Sequence, residues 1–242
     1  MQLPSDWPMV LPSLALSAGR IEVFFIDLKQ PTHEQAWYEA SLTSKESQRA
    51  ARYRIDEKRT EFAVTRGSLR RLLASLTGIE PERVPLEFGL HGKPSLKHDS
   101  IRFNVSHSHD AALIAITLDS EIGVDIEQVR PRVSYMRLAE RFFSPVERDE
   151  LLQLPKDDQQ FGFFACWTRK EALLKADGSG IARGLDTFDV LVDPAMPAVL
   201  LETRWPDDAH AAWRLADIDV GPYYRAAIAS NSTIDELRLW RV

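Results

Sequence analysis

An α+β fold is predicted by three features of the sequence. Each half of the chain mixes strand-like and helical stretches, the strands come in runs suited to antiparallel pairing, and the regular βαβ alternation of a dinucleotide-binding fold is missing. Nor does any glycine-rich phosphate loop of the Walker or Rossmann kind occur. At 242 residues there is room for one large core or two small ones.

In the first half, RIEVFFIDL (Arg20 to Leu28) reads as a strand through its β-branched and aromatic residues, and Pro31-Thr32 opens a short helical stretch with Trp37 and Tyr38. Thr43 and Glu46 form a T-x-x-E capping box for a helix to about Tyr53. Asp56 is expected to cap a longer helix that runs to about Leu76 and stops at Gly78. An extended, proline-punctuated stretch from Pro81 to Lys97 contains GLHGKPSL. The second half opens on strands. IRFNVS alternates Ile101, Phe103 and Val105 with Arg102, Asn104 and Ser106, and AALIAITL and IGVDIEQV are expected to complete a meander. Ser144, Pro145 and Glu147 supply a cap, a proline at the first helical position and an acid at the third. A longer helix is predicted over about Asp158 to Ala176, ending at Gly178; the remainder, from LDTFDVLVD to LRLWRV, reads as short strands.

Composition narrows the function. The chain is 44% hydrophobic and 27% charged, the balance of an ordinary globular protein. Its longest apolar runs, such as Ala111 to Leu118, fall short of the ~18 residues of a membrane span, and no charged start leads into an apolar leader, so a cytoplasmic protein is expected. The single cysteine, Cys166, cannot form an internal disulfide and sits in apolar FFACW, which suits packing in a reducing compartment. A net charge of −6 argues against a dedicated nucleic-acid binder. Lys45 to Arg71 reverses the sign, with nine basic residues against four acidic ones. Such a patch suits a small polyanion, although a solvated helix face laced with i,i+4 pairs would read the same way.

Two motifs carry chemistry. IGVDIEQV places Asp125 and Glu127 on one strand face while Ile122, Val124 and Ile126 point to the other, so two carboxylates could share a hard cation. Taken alone, the pair is also what a solvent-facing strand shows. On the helix FFACWTRKEALLKADGSG, Trp167, Glu171 and Lys175 recur every four residues and form one stripe. Its plainer reading is a surface ion pair, but a tryptophan on the stripe suggests that it is covered.

GVDIE at 123–127, followed 40 residues later by WTRKEALLKADGSGI at 167–181, resembles the bipartite signature of the 4'-phosphopantetheinyl transferases. GKP (Gly92 to Pro94), NVSHS (Asn104 to Ser108), RFFSPVE (Arg141 to Glu147) and GLDTF (Gly184 to Phe188) are similar to further motifs of the longer, monomeric subfamily, whose best-known member activates surfactin synthetase. The likeness covers about residues 43 to 190. It implies a Mg²⁺-dependent transfer, with Mn²⁺ able to substitute, of the phosphopantetheine arm of coenzyme A to a serine of an apo acyl or peptidyl carrier protein, releasing 3',5'-ADP. It also implies two similar α+β subdomains in a pseudo-two-fold arrangement with the active site between them, here residues 1–100 and 101–242.

By the same resemblance, Asp125, Glu127 and Glu171 are expected to hold the metal, Glu171 to act as base directly or through water, and Lys175 to contact the phosphates. Arg49, Arg52 and His107 are expected at the 3'-phosphate, and Gly92, Lys93 and Pro94 against adenine. Asn104 and Ser106 belong to the same coenzyme A set. No metal pair is assigned to His107 and His109, for which no third ligand stands at a suitable spacing. Two alternatives use similar groups: a Mg²⁺-dependent phosphohydrolase of coenzyme A or nucleotides, and an inactive carrier-binding homologue, whose mark would be a lost carboxylate or lysine. A monomer that binds neither nucleic acid nor membrane is expected.

Overall fold

The computed structural model describes residues 8, 14–89, 92–97, 100–205 and 213–242, with the backbone alone at 181 and 182. Leu90 and His91 of GLHGKPSL, and most of the first 13 residues, lie outside the described residues.

Among the described residues the chain runs through one strand, three α-helices and four strands, and then repeats that order. The first pass is β1 (Arg20–Asp27), α1 (Gln35–Glu39), α2 (Ser44–Ala51), α3 (Asp56–Thr77), β2 (Leu86–Phe88), β3 (Pro94–Leu96), β4 (Ile101–Ser108) and β5 (Ala111–Leu118). The second is β6 (Ile122–Gln128), α4 (Tyr135–Phe142), α5 (Pro145–Gln153), α6 (Lys156–Asp177), β7 (Phe188–Val190), β8 (Leu200–Thr203), β9 (Arg214–Ile218) and β10 (Tyr224–Ser230), with β11 (Glu236–Arg241) closing the chain. The pairing repeats too. In each pass the first strand lies antiparallel to the fifth, the fifth to the fourth, and the second and third strands make a separate ribbon: β1–β5–β4 with β2–β3, and β6–β10–β9 with β7–β8. β11 returns to lie parallel to β1.

Period-two alternation makes each sheet two-faced. Ile21, Val23 and Phe25 of β1 and Ile122, Val124 and Ile126 of β6 join one cluster between the sheets. Phe24 and Ile26 turn the other way, under Val64, Leu69, Leu72 and Leu73 of α3. Helix α6 covers the opposite outer face, where Leu173 and Leu174 cluster with Ala227 and Ala229 of β10. The layers are therefore helix, sheet, sheet, helix. Each isoleucine or phenylalanine so buried stabilises the fold by about 1.5–3 kcal/mol.

The start and stop signals act as the sequence predicts for α2 and α5. Thr43 with Glu46, and Ser144 with Glu147, form complete capping boxes. Helices α3 and α6 end where Gly78 and Gly178 take φ of 70° and 80°, a left-handed conformation that other residues adopt at a cost. Asp56 is not a cap: it is the first helical residue, where its charge favours the helix dipole, and Ile55 precedes it without a side-chain cap. The expected meander is also broken. β6 leaves β5 and pairs with β10, because its apolar face is needed opposite β1 in the shared core. For the same reason the sheets change over at residues 119–121 rather than near residue 100, since β4 and β5 hydrogen-bond to the β1 sheet. Cys166 is wholly buried, and burial pushes its thiol well above the ordinary range.

Candidate active site

β6 and α6 are pressed together by a glycine. A Cβ at Gly123 would stand 2.1 Å from the Ala172 carbonyl oxygen and 2.3 Å from the Ala176 nitrogen, so only glycine admits the helix at this height. Asp125 and Glu127 follow Gly123 on the same face of β6, and Glu171 and Lys175 flank Ala172 on the helix. The close approach brings the four side chains to one wall. The Lys175 ammonium donates to Asp125 Oδ1 at 2.6 Å, to Ser106 Oγ at 2.8 Å and to the Val124 carbonyl at 3.2 Å. Trp167, the third member of the predicted stripe, is turned to packing and meets Phe142, Phe143 and Phe163.

The first half supplies the other wall. β4 and β6 are edge strands of different sheets, and side chains bridge them. Asn104 Oδ1 accepts the Val124 N–H at 3.0 Å, Ser106 Oγ the Ile126 N–H at 3.3 Å and Ser108 Oγ the Gln128 N–H at 3.2 Å. Both hydroxyls also donate: Ser106 to Asp125 Oδ1 at 2.8 Å and Ser108 to Glu127 Oε2 at 2.7 Å. The polar face of β4 is thus a seam, and it satisfies an edge that would otherwise need another strand.

Electrostatics at the seam favour a cation. Glu171 is pushed up to about 7, by burial first and then by the negative charge of Asp125, with Lys175 opposing and Glu127 adding. Glu127 is raised by burial and then by Asp125. Asp125 Oδ2 and Glu171 Oε1 are buried without a hydrogen-bond partner. No three His, Cys, Asp or Glu side chains among the described residues converge as a finished ligand set. Even so, two unsatisfied carboxylate oxygens, hard donors with no thiolate or imidazole between them, fit a hard divalent ion that keeps water and takes phosphate as further ligands.

Two grooves adjoin the seam. One, of ≈ 860 Å³, lies between Lys93, Pro94 and Phe103 of the first half and Asp177 at the end of α6 with Ser179 and Arg183 beyond it. The other, of ≈ 440 Å³, has Arg49, Lys58, Arg66 and His107 on its walls, beside Tyr53 and Phe62, with Pro94 common to both. Arg49 and His107 therefore line one groove. Arg52 is not among the lining residues; it is exposed at the C-cap of α2. Gly92 takes φ of 78°, and its N–H donates to the Gly89 carbonyl. The Lys93 ammonium is engaged at the seam, donating to the Ala176 carbonyl and to Glu121 Oε2, both at 3.0 Å. Asn104, 4% exposed, spends its carboxamide oxygen on β6. Three functional features were not singled out in the sequence: Ser108, Arg66 and the close approach at Gly123. Ser108 continues the period-two run of Asn104 and Ser106, and a glycine within a strand marks a near backbone.

Carboxylates and one lysine stand at the joint of the two α+β halves beside a basic groove, an arrangement chemically suited to a phosphate-bearing ligand. Comparison with known proteins gives the family. Residues 121–229 match the family model of the 4'-phosphopantetheinyl transferase superfamily, and residues 30–118 match that of the 4'-phosphopantetheinyl transferase N-terminal region. The two matches meet where the sheets change over. The chain is 36% identical over 231 residues to the 4'-phosphopantetheinyl transferase HetI of Nostoc sp., covering 94% of each. It is 32% identical to psf-1 of Bacillus pumilus over 74% of each chain, and 34% identical to Sfp of Bacillus subtilis over 58% of this chain and 60% of that one. The chain belongs to the 4'-phosphopantetheinyl transferase superfamily.

Proposed function

We propose that the wall formed by Asp125, Glu127, Glu171 and Lys175 carries the transfer of the phosphopantetheine arm from coenzyme A to a carrier-protein serine. In that reaction the serine oxygen bonds to the phosphorus next to pantetheine, the bridging P–O bond breaks, and 3',5'-ADP leaves. Such chemistry asks the protein to position the reactants, oppose charge on the phosphates and accept one proton. Asp125, Glu127 and Glu171 would hold Mg²⁺, which when bound supplies charge neutralisation at the pyrophosphate. Lys175 places a second positive charge beside it. Glu171 receives the serine proton, directly or through one water. The observation that carries this reading is the pair of buried, unpartnered oxygens on Asp125 and Glu171 beside a lysine.

The basic groove receives the 3'-phosphate, with Arg49 and His107 as its contacts and Arg52 outside; Gly92, Lys93 and Pro94 border the adenine side. Arg132 and Arg137, exposed around α4 just after the carboxylate strand, face an acidic carrier. No helix among the described residues is long and apolar enough to cross a membrane, and we place the protein in the cytoplasm as a monomer. Intact mass of an apo carrier protein after incubation with coenzyme A and Mg²⁺ tests the reading. The carrier gains the phosphopantetheine mass with wild type and not with Asp125→Ala; release of free phosphopantetheine without gain on the carrier would make the protein a hydrolase.

A further inference from the structure

The three bridges from β4 to β6 are not equivalent. Asn104 reaches only the backbone, at Val124, whose side chain lies in the core between the sheets. Ser106 and Ser108 each make the same backbone bond one and two rungs further on, and each also turns its O–H onto the carboxylate that precedes that backbone group. A hydroxyl has one proton and two lone pairs. With the Ser108 proton committed to Glu127 Oε2 and a lone pair to the Gln128 N–H, the hydroxyl is fixed in rotation. The carboxylate is then held at one oxygen while the other is left to bind. Ser106 does the same for Asp125 and takes Lys175 on its remaining lone pair. Both anchors come from the first half, whereas the carboxylates belong to the second.

We propose that Ser108 is a positioning residue: from the first half of the molecule it orients the Glu127 carboxylate of the second half for a divalent cation. The inference rests on the metal reading above. Carboxylates and histidines that bind metals are commonly held by such outer contacts, whose loss costs on the order of tenfold or more in metal affinity. Ser108 also stands on the same β4 run as His107, so the strand that borders the basic groove is the strand that sets the metal ligands.

The test is Mn²⁺ binding to the full-length chain in the absence of coenzyme A, read by electron paramagnetic resonance, with the melting temperature of each metal-free variant recorded alongside. Ser108→Ala is expected to weaken Mn²⁺ about tenfold, and Ser108→Thr, which keeps the hydroxyl, to restore it. Glu127→Gln weakens Mn²⁺ by itself, and adding Ser108→Ala to it is expected to change nothing further, because the serine acts through the carboxylate. An equal loss on the Gln background would show that Ser108 serves only the seam and would overturn the proposal, as would wild-type affinity in Ser108→Ala. If Glu127→Gln itself binds Mn²⁺ as wild type does, the metal reading fails first.

Discussion

The two halves of the molecule share one frame and use it for different ends. Counted from the first core-facing isoleucine of each opening strand, Ile21 and Ile122, the positions of Phe24 and Ile26 on β1 are those of Asp125 and Glu127 on β6. Counted along the two 22-residue helices, Arg71 and Ser75 of α3 stand where α6 has Glu171 and Lys175. The first half fills its strand–helix interface mostly with hydrocarbon, beside a buried Glu22 that accepts from Trp240 Nε1. The second opens it with Gly123 and lines it with charge. Arg71, the counterpart of Glu171, lies 3.6 Å over the Trp37 ring and bonds the Trp37 carbonyl.

What the halves keep in common is a buried cation. Arg70 bonds the capping-box acid Glu46 at 2.6 Å and the carbonyls of Pro81 and Val84 just past the helix. Lys170 stands at the same place on α6; it pairs with the capping-box acid Glu147 at 2.6 Å and donates to the carbonyls of Leu185 and Phe188. In both halves one cation ties the preceding short helix to the segment that follows the long one. That is a structural latch, not a catalytic group, and it explains why the lysine beside Glu171 is wholly buried. The two halves thus keep this polar support in common and differ in the side chains aimed into the strand–helix gap.

The comparison can be broken at graded strength. Asp125→Ala should cost transfer the most, about a thousandfold or more, in a steady-state assay of holo-carrier formation. Its first-half counterpart Phe24→Ala should leave the rate per folded molecule unchanged and lower stability by about 3–5 kcal/mol. Equal kinetic losses in both would mean that the halves are not functionally distinct.

Next come the latches. Lys170→Met strands the wholly buried Glu147 and should destabilise by about 3–5 kcal/mol in chemical denaturation; Arg70→Met should do less, because Glu46 also has Arg66 within 3.5 Å. A third comparison uses the glycines of close approach. Gly123→Ala must lift α6 and should reduce transfer along with stability, whereas Gly67→Ala, whose Cβ would meet the Tyr38 carbonyl at 2.6 Å, should cost about 1–3 kcal/mol with the rate intact. Full activity in Gly123→Ala would separate the site from the helix height.

Substrate contacts are expected to show smaller effects. Arg49→Ala and His107→Ala should each weaken coenzyme A by about tenfold and 3'-dephospho-coenzyme A hardly at all, while Arg52→Ala changes neither. Equal losses for both substrates would return the groove to a plain solvated face. The smallest effect should be that of Arg132→Glu with Arg137→Glu, a salt-sensitive rise in KM for the carrier of about a few fold with KM for coenzyme A unchanged; unaltered carrier kinetics at low salt would place docking elsewhere.

Much of this was determined by the sequence alone. The capping boxes at Thr43 and Ser144, the stops at Gly78 and Gly178, the face shared by Asp125 and Glu127, and the stripe of Glu171 and Lys175 all follow from local stereochemistry and period, which a linear chain displays. So does the likeness carried by GVDIE and WTRKEALLK. The tertiary structure decided the rest. It moved β6 out of the expected meander, showed the duplication that no sequence repeat betrays, and turned Lys93 and Asn104 toward the seam. It also gave Ser108 a carboxylate to hold and separated Arg52 from Arg49. Each of these depends on which edge meets which edge across more than a dozen residues. That choice is settled by burying Ile21 and Ile122 in one core and by finding partners for the exposed backbone of β6, and neither requirement leaves a mark on neighbouring positions of the chain.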